Sequence, residues 1–265
     1  MEIKSRIASI FKTSNLESSI TGFPTFNLSK LELLTELEFL LPTNLRLGHL
    51  VEKIVSELIK ASTNYKMLYE NIQIDYNKKT IGEIDFIIEN IKTKKLIHVE
   101  LAYKFYLYDP NISSDSINNW IGPNRNDSLQ KKLEKLKKKQ FTLLYHKCAK
   151  SKINKKIIDN ASQSLCFLVS LFIPFEYKAR LNPNYEKAIE GYYIKFEKFI
   201  SLDHSEKTYY LPLKNEWGMP PSENETWTDF NNIKKLVNKS ILIKKAPLCW
   251  QKYKDSFAMF FIVWW

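Results

Sequence analysis

The sequence predicts an α/β fold, and three observations carry that expectation. Residues 44–62 place Leu47, Leu50, Val51, Ile54, Val55, Leu58 and Ile59 at helical spacing, as an amphipathic helix does. Three short β-like runs follow, at 67–74, 81–88 and 96–108, with brief polar links at Asn77-Lys78-Lys79 and at 90–95. Links that short predict an antiparallel meander. A further helical pattern at 127–147 then leads into LCFLVSLFI at 165–173, which ends at Pro174. A nearly unbroken apolar run of that kind reads as a strand buried on both faces.

Taken in order, the elements begin with Ser29-Lys30-Leu31-Glu32, which has capping-box spacing ahead of Leu33, Leu34, Leu37, Leu40 and Leu41. That predicts a first helix, stopped before Pro42. Gly48 lies inside the second helix, where glycine costs about 1 kcal/mol relative to alanine. It is expected to mark a close backbone approach. Residues 109–126 form a long polar loop. The third helix carries Leu129, Leu133, Leu136, Leu143 and Leu144 on its stripe, with Gln140 among them. Beyond Pro174, residues 192–199 and 208–213 read as strands, 217–229 as an acidic loop and 229–238 as a helix. Residues 257–265 read as a last strand tucked into the core. The expected organisation is an N-terminal helical extension (1–42), an α/β core (43–175) and a C-terminal extension packed on it (176–265).

With 265 residues, 44% of them hydrophobic, the chain can build a core, which excludes intrinsic disorder. A formal charge of +11 points to a polyanion, and nucleic acid is the usual one. Lysine on a solvated face in a Lys-, Asn- and Ile-rich chain is the plainer account of the same charge. No apolar run approaches the roughly 20 residues of a membrane span, and the charged N-terminus is no secretory signal. Cys148, Cys166 and Cys249 have no CxxC spacing and read as reduced thiols of a cytoplasmic protein. His49, His98, His146 and His204 are too dispersed for a zinc site.

The residues that carry chemistry lie on two of the strands. Period 2 puts Asp85 on the face opposite Ile84, Phe86 and Ile88. It also puts His98, Glu100, Ala102 and Lys104 on one face of the next strand. If those strands pair, Asp85 and Glu100 lie side by side. Adjacent carboxylates repel unless a cation sits between them, and their oxygens suit Mg²⁺ or Mn²⁺. A solvated strand pair without a ligand is the plainer alternative. Glu52, at the flank of its helix's apolar stripe, offers a third carboxylate. Gln140 needs a polar partner beneath it, because a buried unpaired amide costs roughly 1–3 kcal/mol. His98 reads as a structural hydrogen-bond partner. The lysines of 131–139 form either a solvated face or a phosphate-binding one. Arg125, in the turn before that helix, either holds a phosphate or belongs to a plain turn.

The segments LRLGHLVEKIV, TIGEIDFII, HVELAYKFYL and NNWIGPNRNDSLQKKLEKLKKKQ resemble an uncharacterised bacterial family usually grouped with the PD-(D/E)XK nuclease superfamily. The resemblance covers most of residues 45–173. It implies a restriction-endonuclease-like core, a central mixed sheet flanked by helices, with a C-terminal extension. It also implies that Glu52 is the helix carboxylate and that Asp85 and Glu100 are the metal-binding pair; in the expected metal site the carbonyl of Leu101 would join them. Lys104 would steady the attacking water, and Gln140 resembles the helix glutamine of exonuclease-like members. The sequence departs from the usual Glu-x-Lys spacing. Ala102 occupies the lysine position, and Lys104 lies roughly 6.6 Å further along the strand. Lys132, on the third helix, is the alternative ammonium.

The expected function is phosphodiester hydrolysis of nucleic acid, DNA before RNA, with Mg²⁺ or Mn²⁺. Asp85, Glu100, Lys104 and Gln140 would act in catalysis. Arg125, Lys131, Lys132, Lys135 and Lys139 would hold the backbone. The rivals are a catalytically silent nucleic-acid-binding module on the same fold, and a scaffold protein.

Overall fold

The computed structural model describes residues 3–34 and 45–265. In chain order the elements begin with α1 (Ile3–Lys12), β1 (Ser14–Asn15), α2 (Ser18–Thr21) and α3 (Leu47–Ala61). Next come β2 (Tyr65–Tyr76), β3 (Lys79–Asn90), β4 (Leu96–Tyr108), β5 (Trp120–Ile121) and α4 (Leu129–Lys135). They are followed by α5 (Lys155–Asn160), β6 (Ser162–Pro174), α6 (Pro183–Glu186), β7 (Ile189–Lys195) and α7 (Phe196–Ile200). The last are β8 (Lys207–Tyr210), α8 (Phe230–Leu242), β9 (Leu248–Tyr253) and β10 (Ser256–Val263). This is a mixed α/β fold with a mixed sheet flanked by helices. Among the described residues no helix is long and apolar enough to cross a membrane. All three cysteines are free.

The chain forms two compact units. The first comprises Met1–Tyr103 and Lys131–Leu168. Its strands run in the order β2-β3-β4-β6, with β1 added on β6. The expected meander is present, since β2 pairs antiparallel with β3 and β3 with β4. Asn77 and Lys78 join β2 to β3 with φ of 50° and 61°. Two positive φ values in a two-residue link are the signature of a type I′ turn, whose twist matches that of the strands. α3 buries the stripe read from sequence, Leu47 to Ile59. Burying each such side chain contributes roughly 1.5–3 kcal/mol. Polar ties to β2 supplement it: Ser56 hydrogen-bonds Glu70, and Lys60 reaches the same carboxylate at 2.6 Å. A core cluster of Ile74, Ile84, Ile87, Leu143, Leu144 and the apolar side of α5 fills the unit.

The second unit comprises Lys104–Gln130 and Val169–Trp265. Its strands run β6-β7-β10-β9-β8, with β5 on β4. β6–β7 and β7–β10 are parallel, while β10–β9 and β9–β8 are antiparallel. α8 starts at Asp229, whose side chain accepts from Asn232 N, and it buries Ile233 and Val237. These join Ile194, Phe199, Tyr209, Cys249, Phe260 and Ile262 in one cluster.

Several expectations are corrected. The first helix does not begin at Ser29. Asn27 caps a 3-10 turn at Leu28–Lys30 instead, and Leu33 bridges Ser62 in extended backbone. The rest of that expected helix lies outside the described residues. The third helix starts at Leu129 and passes at Leu136–Gln140 into a π turn, then into 3-10 turns at Leu143–Tyr145 and Lys147–Ser151. Residues 196–199, expected in a strand, belong to α7. Gly48 marks no close approach, because a Cβ there would meet nothing within 4 Å. β9 and α5 were not read from the sequence at all.

Candidate functional site

Continuing the β3–β4 register past Phe86↔Val99 sets Asp85 opposite Glu100. The regular ladder gives way at that point to side-chain bonds. Leu101 N donates to Asp85 Oδ2 at 2.8 Å, and the Asp85 backbone bonds the Glu100 carboxylate. The acids are therefore locked to each other's strands. They are also buried, Asp85 being 9% exposed and Glu100 fully covered. The solvated strand pair is ruled out.

Glu100 has both oxygens engaged. His98 Nε2 lies 2.8 Å from Oε1, as the shared strand face requires, and Gln140 Nε2 donates to Oε2 at 2.6 Å. Lys132 Nζ completes the chain, donating to Gln140 Oε1 at 2.9 Å. The polar partner expected beneath Gln140 is thus Glu100. His98 is the structural hydrogen-bond partner it was read to be. Its ring also packs edge-on against Phe141, with centroids 5.2 Å apart.

Burial dominates the electrostatics here, because desolvation penalises charge. It raises Glu100 to about 8, against the opposing pull of Lys132 and the Gln140 bond. Asp85 rises well above the usual carboxylate range, first through burial and then through repulsion from Glu100. Burial drives His98 down to about 4, so its contact with Glu100 joins a neutral imidazole to the carboxyl group. Glu52 is raised too, by burial and by Glu83, although His49 and Asn71 offset part of this.

A cavity of about 290 Å³ opens onto this cluster. Asp85, Glu52 and Glu83 line it with acid, and Lys135, Lys139, His49 and Gln140 add basic and amide groups. Its wall depends on a close packing contact, since a Cβ on Gly82 would lie 2.5 Å from Leu143 Cδ1. Sequence reasoning missed Glu83 and His49. The signal for Glu83 was present, because period 2 puts it on the face of Asp85.

The structure therefore brings together Glu52, Asp85, Glu100, Lys132, Lys135, Lys139 and Gln140 in the first unit. Lys131 is exposed on α4. Lys104 and Arg125 belong to the second unit, each with partners there. Lys104 Nζ is 2.7 Å from Asp127 Oδ2, and Arg125 pairs with Asp109 at 3.0 Å while lying over the Trp265 ring. The backbone around Arg125 is a turn, with Arg125 N bonded to Gly122 O at 2.7 Å.

The donors near the cavity are carboxylate oxygens, the ligand type of hard divalent cations, and their raised proton affinity is a strain that such a cation relieves. Among the described residues no three His, Cys, Asp or Glu side chains are grouped closely enough to hold an ion as they stand. The closest carboxylates are the Asp85–Glu100 pair, and Glu52 lines the same cavity as Asp85.

Fold and site together define a mixed α/β protein with a buried acid pair beneath a lysine-bearing cavity. The chain belongs to the family described as Domain of unknown function (DUF1853), whose model matches residues 25–255. No curated protein and no solved structure matches it significantly.

Proposed function

We propose that the first unit hydrolyses phosphodiester bonds of nucleic acid with a divalent cation, as the resemblance to PD-(D/E)XK nucleases implies. The observation that carries this reading is the pair of adjacent buried carboxylates, Asp85 and Glu100, below a cavity lined by Lys135 and Lys139. Asp85, Glu100 and Glu52, with the carbonyl of Leu101, would hold Mg²⁺ or Mn²⁺. The ion would lower the pKa of a bound water and offset charge on the scissile phosphate. Gln140 fixes the orientation of Glu100 from one side and His98 from the other. We assign the nearby countercharge to Lys132 rather than Lys104, whose ammonium is already paired with Asp127. Lys135 and Lys139 meet the phosphate backbone, with DNA the first substrate to try.

One observation favours a second reading, a binding module without turnover. Both oxygens of Glu100 are already hydrogen-bonded, and alanine stands at position 102.

The test pairs calorimetric titration of Mn²⁺ in buffers of differing ionisation enthalpy with cleavage assays on DNA and RNA. Glu100, with a pKa raised to about 8, must release its proton to the ion, so binding should liberate protons and tighten as pH rises. Asp85→Asn should abolish both binding and cleavage. Cleavage that survives this substitution sinks the hydrolytic reading, while metal and nucleic-acid binding without cleavage selects the silent module.

A further inference from the structure

We infer that the substrate is unpaired nucleic acid, a single strand or a frayed end, and that Tyr76 is the ring on which one of its bases stacks. This rests on the nucleic-acid reading of the site above and adds the substrate class.

Beside the cavity, the β2–β3 hairpin and the 3-10 turn at Leu143–Tyr145 expose aromatic and apolar side chains. Tyr76 is 40% exposed, Ile81 40% and Tyr145 53%. Their positions are fixed. Leu143, at the cavity wall, packs on Gly82, which holds the turn carrying Tyr145 against β3. Further along, Lys152 donates to Gln73 O at 2.5 Å and to Asp75 Oδ2 at 2.9 Å, tying the segment after that turn to β2. His146 meets the Tyr76 ring edge-on at 5.7 Å, and Lys147 Nζ sits 4.7 Å from its centroid. Tyr76 is therefore braced by His146 and Lys147 while 40% of the residue stays exposed.

The platform lies next to the cavity. Ile81 lines the cavity, and Lys79, the cross-strand partner of Tyr76, is two residues before it in the same strand. Lysines surround the path: Lys78 and Lys79 at the hairpin tip, Lys147 beside the ring, and Lys135 and Lys139 at the cavity. Aromatic rings interleaved with lysines match a polyanion that also offers flat apolar faces. Nucleic acid does so only where its bases are unpaired, because a duplex turns them inward and stacks them on one another. Duplex recognition would call on the lysines and leave the exposed tyrosines without a role.

The experiment is fluorescence anisotropy of the full chain, carrying Asp85→Asn to prevent turnover. The probes are labelled oligo-dT, oligo-U and a blunt duplex of equal length, at matched salt. The single strands are expected to bind more tightly than the duplex. Tyr76→Ala should weaken single-strand binding about tenfold and leave duplex binding and the salt slope unchanged. Tyr76→Phe should bind as the parent does. Tyr145→Ala provides a second test at an exposed position should Tyr76→Ala unfold. Equal or tighter duplex binding, or single-strand binding indifferent to both alanine variants, overturns the inference. Its failure is separable from that of the hydrolytic reading. Tyrosine-dependent single-strand binding in a wild-type protein that never cleaves preserves the substrate class and removes the chemistry. Cleavage confined to duplex does the reverse.

Discussion

Gln140 donates from its side-chain amide to Glu100 Oε2 across 2.6 Å, and a π turn makes this possible. Phe141 N bonds Leu136 O at 3.0 Å, an i→i+5 contact that widens the helix by one residue at that turn. Gln140 faces the strand acid while Phe141 drops into the core, 2% exposed, between His98 and Phe23. A regular helix offers one inward position at that level. The π turn provides two, one polar and one apolar.

Gln140→Leu should therefore leave Glu100 short of a donor in a dry setting. A loss of about 1–3 kcal/mol is expected, measured by equilibrium urea unfolding. A variant as stable as the parent would show that the amide contributes nothing there.

Stability should depend on pH through Glu100. Its folded pKa of about 8 lies above its ordinary 4.5, so between those values the native state binds more protons than the unfolded chain. Stability then falls as pH rises through that window, levels off above it, and is unaffected by this group below it. Asp85 shifts in the same direction. Glu100→Gln removes the carboxyl and should flatten the profile. Urea midpoints at pH 5.5 and 8.5, in EDTA, should diverge for the parent by more than for the variant.

Lys135 and Lys139 at the cavity should act as phosphate contacts. Replacing both by alanine removes two charges, so the slope of log K against log salt for a single strand should shrink by about 1.4. Anisotropy titrations across a salt series read this directly. An unchanged slope would place the backbone elsewhere.

In the second unit, Gly191 allows β7 and β10 to approach. A Cβ there would run into the carbonyl oxygen of Met259, a backbone atom that cannot swing aside. Gly191→Ala should cost roughly 1–3 kcal/mol at the least, seen as a lowered thermal midpoint or lost soluble yield. By contrast, Gly48→Ala should stabilise α3 by up to about 1 kcal/mol, since its Cβ would meet open space.

The meander and the α3 stripe were legible because their periodicities are local and strong. Gln140 stood out for a physical reason too: an amide on a leucine stripe demands a partner. Phe141 was missed because a stripe counted at 3.6 residues per turn loses its phase where the helix widens. β9 was missed because its polar half, Gln251 and Lys252, is held by pairing to β8 and β10 rather than by its own pattern. The cavity could not be read because its walls come from α3, β3 and the π turn, segments far apart in sequence. Gly48 misled because a helical glycine can be merely tolerated.

Lys78 keeps a left-handed backbone at φ 61°, where glycine would rest without effort. The hairpin tip thus trades conformational ease for an ammonium held at its extremity. Lys78→Gly would relax the bend and discharge it in one stroke, so folding robustness and affinity for an anionic guest pull against each other at a single position.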